Sequence, residues 1–508
     1  MSAVLLCPDL VIAGADDPAP RRAAILVENE RIVAIGDAAA LSRTAERIEL
    51  PGQVLLPGLV NAHQHGRGIS NIQLGYADDI LERWLFDKRR RRPMDPYANT
   101  LLAAAQMIAS GVTSTIQANS PYGSGDYGSE IRATIRAYDE SGMRAMVGVA
   151  AIDRAELVYP AEAEAELRAQ LPAALAATLS AAQAPTYAGG IAETIALMAA
   201  LRGELAGHPR LGLAYSPAGP QWVSDDMLRA LADDARAHEL PFHMHCLESL
   251  SQANSLQDIY PEGVMRRLDS LGVLGPGTSL AHAVWLSHDD VALAAERGVV
   301  LVSNPASNLR LRAGIAPVRD YLNAGVPVAI GTDNTALADD EDLLGELRLS
   351  WRLAGDPAWS APRPPDPPTL LRMATANGAR AMGLADDIGV IAPGRLADVI
   401  ALDLRRIAGA YRDPDMPLLT AIMARGGARD VTFTMVGGRV LYRDRQFTTL
   451  DLAAVAARAA ASAAETAVSL DAFVNGAGGA LAQVIDAHYA ARHARVGTPP
   501  WRPIAPHE

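Results

Sequence analysis

Two patterns of apolar and polar positions follow one another along the chain. Residues 1–57 carry short apolar runs, such as AAILVENERIVAIG, in which polar residues 28–31 separate two runs as in a β-hairpin. Between residues 58 and 390, apolar runs of five to eight residues alternate with helical segments instead. Strand–helix alternation predicts a parallel sheet, and eight strands between residues 58 and 334 predict closure into a (β/α)8 TIM barrel.

Short strand patterns return after residue 390. In VTFTMVGGRVLYRD, two apolar runs flank Gly437 and Gly438, a typical hairpin turn. We therefore expect residues 1–57 and 391–450 to pair into one small β-sandwich domain beside the barrel domain, residues 58–390. Residues 451–508 are rich in alanine and predict a helical C-terminal extension, which we interpret as a packing or oligomer surface. A homo-oligomer, dimer or larger, is expected.

Five of the eleven histidines fall at the ends of predicted strands. In a parallel barrel the C-terminal strand ends carry the chemistry. His63 and His65 follow the first predicted strand two residues apart, so both imidazoles point to the same side and can chelate one divalent ion. Such a pair is a weak signal alone, and its place directly after the apolar strand VLLPGLVNA makes it stronger.

His243 and His245 form a second pair, at the end of the fifth predicted strand. Glu248 follows three residues later, where a carboxylate can reach over a metal ion as a proton donor. We therefore assign His245 as the metal ligand and place His243 behind the ligands. The alternative for His243 is a buried histidine bonded to a backbone carbonyl.

His282 and Asp333 end the sixth and eighth predicted strands. A single histidine on an apolar strand is more often structural, but its position in the same ring of strand ends favours a catalytic role here. A lone carboxylate after an apolar strand is favoured when a cation is nearby. Three imidazoles and one carboxylate suit zinc or ferrous iron better than magnesium or calcium. One divalent ion is expected, zinc before iron.

The composition narrows the possible chemistry. Lys88 is the single lysine, and its place in DKRRRRP is typical of a solvated charge run, which argues against Schiff-base, P-loop and lysine-bridged two-metal chemistry. The net charge of −13 argues against a nucleic-acid partner. The two cysteines lie far apart, and the chain has neither a signal-peptide pattern nor an apolar run of about 18 residues. A cytoplasmic protein without a membrane partner is expected.

The motifs PGLVNAHQHG, HMHCLES, LAHAVW, VSNPASN, GTDN and APGRLADVIALD resemble the amidohydrolase superfamily. More closely, residues 1–450 resemble its branch of triazine hydrolases, chlorohydrolases and cytosine/guanine deaminases. The resemblance implies that His282 orients or deprotonates the attacking water, that Glu248 shuttles a proton to the substrate and that Asp333 also takes the water proton. The metal ligands that it implies are His63, His65, His245 and Asp333.

This resemblance predicts hydrolysis of a C–N bond in a small nitrogen heterocycle, by deamination through metal-bound hydroxide. The alternatives are hydrolysis of an amide, urea or carbamate, dechlorination of a triazine, or a catalytically silent scaffold stabilised by metal. Many deaminases of this branch carry a histidine after the fourth strand. The corresponding segment here, SPAGPQWVS, has none, which weakens a purine- or adenosine-type assignment.

Polar and aromatic residues in the loops after the strands are candidate contacts to a planar small-molecule substrate. Each has the alternative of a loop-packing role. The candidates are Gln73, Trp84, Gln117, Asn119, Gln221, Trp222, Asn304 and Asn308.

Overall fold

The computed structural model of the protein describes most of the chain as two sheets with surrounding helices. Among the described residues, no helix combines the length and the apolar character needed to cross a bilayer. The described residues are 3–41, 45–88, 94–154, 158–176, 187–334, 339–355, 364–466 and 476–496.

The described strands fall into three groups in chain order. Four precede the barrel: β1 (Val4–Val11), β2 (Ala24–Glu28), β3 (Arg31–Gly36) and β4 (Glu46–Pro57). The barrel strands are β5 (Leu59–Gln64), β6 (Val112–Gln117), β7 (Arg144–Val149), β8 (Leu211–Tyr215), β9 (Phe242–Cys246), β10 (Thr278–His282), β11 (Val300–Ser303) and β12 (Val328–Ile330). Four follow the barrel: β13 (Val399–Asp403), β14 (Val431–Val436), β15 (Arg439–Arg443) and β16 (Gln446–Phe447).

Helices connect the barrel strands and continue after them, and several begin at a side chain that accepts a backbone N–H, such as Ser224 from Met227. The described α-helices are α1 (Ala38–Leu41), α2 (Leu81–Asp87), α3 (Pro96–Ala109), α4 (Tyr127–Ser141), α5 (Ala161–Gln170), α6 (Ile191–Glu204), α7 (Asp225–Ala237), α8 (Leu250–Ile259), α9 (Val264–Ser270), α10 (His288–Arg297), α11 (Pro305–Arg310), α12 (Val318–Asn323), α13 (Leu343–Leu353), α14 (Pro367–Met373), α15 (Ala376–Ala381), α16 (Leu404–Ala408), α17 (Leu418–Arg425), α18 (Leu452–Glu465) and α19 (Ala477–Val496).

The barrel strands β5 to β12 pair in parallel in chain order. The barrel closes where the backbone N–H of Asp333 donates to the carbonyl of His63 at 3.0 Å, beside a parallel bridge between Gln64 and Asp333. Every residue of β5 is buried, as expected for a parallel strand covered on both faces. The predicted TIM barrel is therefore confirmed.

The second sheet draws its strands from both ends of the chain, in the order β16-β15-β14-β13-β4-β1-β2-β3. The two ends meet where β13 pairs antiparallel with β4, with Val399 opposite Pro57. The expected pairing of the two terminal strand groups is confirmed. The domain limits at residues 57, 390 and 450 stay predictions.

The described part of the C-terminal extension packs on the barrel of its own chain. Helix α18 packs on α3 and buries Ala459, while α19 contacts α2 and α8. Arg83 of α2 donates to Asp486 of α19 at 2.7 Å. The rest of the predicted extension, residues 467–475 and 497–508, lies outside the described residues.

Candidate metal centre and active site

Histidines and one aspartate converge at the C-terminal edge of the barrel. One ligand-type atom from each of His63, His245, His282 and Asp333 lies within 4.8 Å of the others. His65 joins this cluster, because its Nε2 is 3.0 Å from Asp333 Oδ1 and 3.3 Å from His245 Nε2. The structure thus brings together the four predicted ligands and places His282 beside them.

Hydrogen bonds to backbone carbonyls orient two of these imidazoles. His65 Nδ1 lies 2.7 Å from the carbonyl of Ala118, and His245 Nδ1 lies 2.8 Å from that of Ala218. A carbonyl only accepts, so each Nδ1 carries the proton and each Nε2 presents a lone pair to the cluster. Two lone pairs that face each other at 3.3 Å repel unless a cation lies between them.

Other atoms of the cluster also fit a cation. The buried Nε2 atom of His282 has no hydrogen-bond partner among the described residues, and the buried Nε2 atom of His63 has only Asp333 Oδ1 nearby, at 3.2 Å. Burial lowers the pKa of His63 to about 4 and the pKa of His245 well below its usual value, so both imidazoles are neutral and able to bind metal. Neutral imidazoles and one carboxylate form a donor set that suits zinc or iron.

His243 lies behind the cluster, as predicted. Its Nε2 is 2.7 Å from His63 Nδ1, and its Nδ1 is 2.7 Å from Ser279 Oγ. If Nε2 of His63 binds an ion, then its Nδ1 donates to His243, which in turn donates to Ser279. The sequence left a backbone carbonyl as the alternative partner, and the structure shows an imidazole and a hydroxyl instead.

Two buried carboxyl groups of the site differ in their preferred charge. Burial raises the pKa of Glu248 to about 7, and its Oε1 lies 3.7 Å from Nδ1 of His282. Burial would also raise the pKa of Asp333, but its contacts with His63 and His65 outweigh burial and hold that pKa well below the usual range. One carboxyl is therefore suited to give a proton near neutral pH, and the other to carry charge.

Left-handed backbone conformations occur at several residues of this edge. The φ angles are +49° at Leu247, +70° at His282, +52° at Ala283 and +57° at Asp333. For residues other than glycine, such conformations cost roughly 1–3 kcal/mol each and cluster at functional sites. The backbone is strained where it aims Glu248, His282 and Asp333 at one point.

A cavity of about 340 Å³ opens above the cluster. His65, His245, Glu248, His282 and Asp333 form its polar floor. The volume is typical of a site for a small molecule.

The structure places two of the predicted substrate contacts, Trp84 and Trp222, on the cavity wall. Gln73 is exposed, lies outside the cavity lining and accepts a hydrogen bond from the backbone N–H of Ser70 at 2.9 Å. This bond closes a local turn, and the predicted contact of Gln73 with substrate stays a prediction.

Gln117 and Asn119 lie behind the first strand end. The Gln117 amide donates to the carbonyl of His65 at 3.3 Å, and Asn119 donates to Gln117 at 3.4 Å. Both side chains are buried and lie outside the cavity lining. They support the backbone of His65, and a substrate contact stays a prediction.

Gln221, Asn304 and Asn308 are also buried outside the cavity lining. The amide atoms of Gln221 and Asn304 have no hydrogen-bond partner among the described residues. Asn308 accepts from His282 Nδ1 at 2.9 Å and so orients that imidazole. Their predicted contacts with substrate stay predictions.

Lys88 does not lie in the solvated charge run that the sequence predicted. Its side chain lies on the cavity wall, with Nζ 4.0 Å from the centroid of the Trp84 ring. Residues four apart share a helix face, and this spacing was the signal that could have found Lys88. The following arginines, within residues 89–93, lie outside the described residues.

Sequence reasoning also missed several other wall residues. They come mainly from the loop after β5 and from the loop after β6. They include Arg67, Asn71, Tyr76, Tyr122 and Asn334.

Comparison with known proteins gives related sequences over most of the chain. A 5-methylthioadenosine/S-adenosylhomocysteine deaminase of Natronomonas pharaonis is 31% identical over 472 residues, which cover 91% of this chain and 96% of the relative. A 5'-deoxyadenosine deaminase of Methanothermobacter thermautotrophicus is 31% identical over 471 residues, covering 91% and 98%.

Solved structures agree in fold. An adenosine deaminase of Xanthomonas campestris with bound zinc matches with a TM-score of 0.76 and 27% identity, covering 91% of this chain and 98% of that one. The family model described as amidohydrolase family matches residues 54–441. The chain therefore belongs to the amidohydrolase family and is a hydrolase that acts on carbon–nitrogen bonds other than peptide bonds.

Proposed function

We propose that this chain is a mononuclear zinc enzyme that removes an amino group from a small nitrogen heterocycle and releases ammonia. The observation that carries the proposal is the convergence of His63, His245, His282 and Asp333 within 4.8 Å, on the floor of a cavity that Glu248 also lines. The bound zinc in the Xanthomonas campestris deaminase supports the choice of metal.

Four residues hold the ion in this proposal: His63, His65, His245 and Asp333. When bound, a divalent ion there supplies a Lewis acid and a water of lowered pKa. The absence of a lysine from β8, LGLAY, supports a single ion. The family resemblance, and not the geometry, keeps His282 outside the ligand set. Its Nδ1 lies 2.9 Å from Asn308 and 3.7 Å from Glu248, so its Nε2 faces the cluster, where it can orient the attacking water.

Glu248 supplies the proton in this proposal. Because burial favours its neutral form near pH 7, the carboxyl can donate to the ring nitrogen next to the attacked carbon. The water oxygen forms a bond to the carbon that carries the amino group, and Asp333 and His282 accept and orient the proton that leaves the water. The C–N bond then breaks, and the amino group takes up a proton and departs as ammonia.

Adenosine derivatives are the first substrate class to test, because the relatives named above act on them. The segment after β8 lacks the histidine that many deaminases of this branch carry, so other heterocycles should be tested together with adenosine derivatives. Pyrimidines, aminated and chlorinated triazines, ureas and amides cover the alternative reactions. A catalytically silent scaffold would bind metal and turn over none of these compounds.

Metal analysis of freshly purified protein, followed by an ammonia-release screen over these classes, tests the proposal. We expect about one zinc per chain and ammonia from at least one aminated heterocycle. Chloride release from a chlorotriazine without ammonia release would replace deamination by dechlorination. Protein purified without metal and inert after zinc addition would overturn the proposal.

Glu248→Gln tests the proton donor. We expect this variant to keep its metal and to lose turnover by a factor of about 10² to 10⁴. Glu262→Gln, an exposed glutamate on the surface, is the matched control and should retain activity. Full activity in Glu248→Gln would remove Glu248 from the mechanism.

A homo-oligomeric state and a cytoplasmic location also stay proposals. The Ala-rich composition of residues 451–508 supports the first. Light scattering of the purified protein tests it, and a monomeric mass would exclude a stable oligomer.

A further inference from the structure

Acidic and basic side chains are separated within the active-site cavity. Glu248 and Asp333 lie on its floor, while Arg67 and Lys88 lie on its wall. Among the described residues, no carboxylate lies within ion-pair distance of Arg67 or Lys88. In a chain of net charge −13, two cations without a counter-ion in a cavity call for an explanation.

Lys88 is held by an aromatic ring instead of an anion. Its Nζ lies over the Trp84 ring at 4.0 Å, a cation–π contact that leaves the other side of the ammonium open to the cavity. Burial and the nearby charge of Arg67 lower the pKa of Lys88 to about 7, against the opposing effect of Asp333 and Glu248. The half-buried ammonium is therefore partly desolvated and has no anionic partner among the described residues.

Arg67 is rigidly placed on the same wall. Its Nη2 donates to the backbone carbonyl and the hydroxyl of Ser120, each at 3.0 Å, and its guanidinium lies 3.6 Å from the centroid of the Tyr122 ring. Its Nε and Nη1 make no hydrogen bond among the described residues. These donors are oriented before any ligand binds, which lowers the entropic cost of binding an anion.

We propose that Arg67 and Lys88 form a subsite for an anionic substituent, a carboxylate or a phosphate, on the heterocyclic substrate. The proposal rests on the proposed function for the position of the reacting carbon, which lies at the metal cluster. The anionic group then lies at the wall, where guanidinium and ammonium donors make charge-assisted hydrogen bonds to its oxygens. The substrate class is thereby narrowed to heterocycles that carry a negative charge away from the reacting C–N bond.

A neutral substrate would use this wall poorly. It would cover Arg67 and Lys88 from water and leave both charges without compensation, which costs binding free energy. A divalent ion on the floor would more than offset the charge of Asp333, and Glu248 favours its neutral form near pH 7, so the filled site would present net positive charge to the substrate. Both effects favour an anionic ligand over a neutral ligand of the same shape.

Binding of small probes to the metal-loaded enzyme tests the subsite without turnover. Benzoate, phenyl phosphate and neutral benzamide are titrated by calorimetry into the wild type, Lys88→Met and Lys88→Arg. We expect one of the two anions to bind the wild type about tenfold or more tightly than benzamide, and this preference to fall about tenfold in Lys88→Met. Lys88→Arg should retain it.

The control for charge is Arg312→Gln, which removes one positive charge from an exposed side chain next in sequence to Leu311 of the cavity lining. This variant should keep the preference for the anion. Arg67→Gln should lose it, with circular dichroism used to verify its fold. Equal binding of anionic and neutral probes to the wild type, or an unchanged preference in Lys88→Met, would overturn the subsite.

Turnover provides a second measurement and separates the two proposals. 5'-Deoxyadenosine, adenosine 5'-carboxylate and adenosine 5'-monophosphate differ only at the 5' position. The subsite predicts a higher kcat/KM for one of the anions, which identifies carboxylate or phosphate as the preferred group. If none is deaminated while the anionic probes still depend on Lys88, adenosine-type deamination fails and the subsite stands. If 5'-deoxyadenosine is preferred, deamination stands and the subsite fails.

Discussion

His243 connects His63 to Ser279 through two hydrogen bonds. Its Nε2 lies 2.7 Å from His63 Nδ1, and its Nδ1 lies 2.7 Å from Ser279 Oγ. This pair connects two strands of the barrel directly beneath the proposed metal centre. A histidine whose second nitrogen is held in this way presents the other nitrogen in a fixed direction and a fixed tautomer.

Replacing His243 by alanine should therefore weaken metal binding. We expect a loss of about 10- to 100-fold in zinc affinity, because His63 loses the partner that fixes its tautomer. Competition with a chromogenic chelator measures the affinity. His238→Ala, a partly exposed histidine paired weakly with Asp234, is the control and should bind zinc normally. Wild-type affinity in His243→Ala would show that His63 needs no such support.

Gly331 allows His63 to approach the last barrel strand. A Cβ at position 331 would lie 2.5 Å from Asn304 Oδ1 and 2.7 Å from the carbonyl oxygen of His63. Gly331→Ala should therefore displace His63 and lower the free energy of unfolding by about 1–3 kcal/mol, with a parallel loss of zinc. Urea denaturation and metal analysis measure the two effects.

Gly203→Ala is the matched control for that variant. Gly203 lies in helix α6, and a Cβ there meets nothing within 4 Å. Alanine also has the higher helix propensity, so this variant should be as stable as the wild type or more stable. A Gly331→Ala protein with normal stability and a full complement of metal would contradict the proposed close packing.

Glu248 should make the stability of the metal-free protein depend on pH. Its pKa is about 7 in the folded chain, against an ordinary value of 4.5 for glutamate, so the folded state keeps a proton that the unfolded state releases. The contribution of Glu248 to the free energy of unfolding is fully present below about pH 4.5. It falls by about 3 kcal/mol in total as the pH rises through 7.

Glu248→Gln removes that dependence. Relative to the wild type, the metal-free variant should gain stability as pH rises from 5 to 8, measured by urea denaturation in the presence of a chelator. Glu262→Gln should follow the wild type at every pH. Parallel stability curves for wild type and Glu248→Gln would place the glutamate pKa near its ordinary value.

A buried ion pair connects the barrel to the second sheet. Arg144 of β7 donates to Asp398 at 2.8 and 3.1 Å, and Asp398 also accepts the backbone N–H of Gly437 at 2.7 Å. Asp398→Asn should destabilise the protein by about 3–5 kcal/mol, because a buried guanidinium loses its counter-charge. Thermal denaturation measures the loss.

The exposed pair of Arg47 and Glu49, 3.0 Å apart, provides the comparison. Glu49→Gln should change stability by less than about 1 kcal/mol. Similar small effects in both variants would mean that water compensates Arg144 when Asp398 is neutral.

Much of the fold could be predicted because its signals are local. Parallel barrel strands are buried on both faces, so they occur in the sequence as apolar runs, and each of the eight runs became a barrel strand. The terminal strand groups also paired as predicted, since an unpaired sheet edge beside a barrel favours closure with the other group. The C-terminal edge of the barrel likewise placed His63, His245, His282 and Asp333 together.

The substrate contacts were harder to predict. Gln117 and Asn304 have the chemistry of ligand-binding residues, yet both are buried and lie outside the cavity lining. The prediction for Lys88 was wrong because its neighbours in sequence are charged and indicated a solvated surface. Its neighbours in space are Trp84 and the cavity.

The sequence by itself determined the elements, the ring of histidines and the single lysine, because each depends on residue type and on spacing along one strand or helix. Only the tertiary structure decided which nitrogen of His65 and His245 faces the cluster, that His243 supports His63, and that Lys88 lies on the cavity wall. These facts depend on contacts between segments far apart in the chain. Closure of the barrel creates such contacts, and no local pattern encodes them.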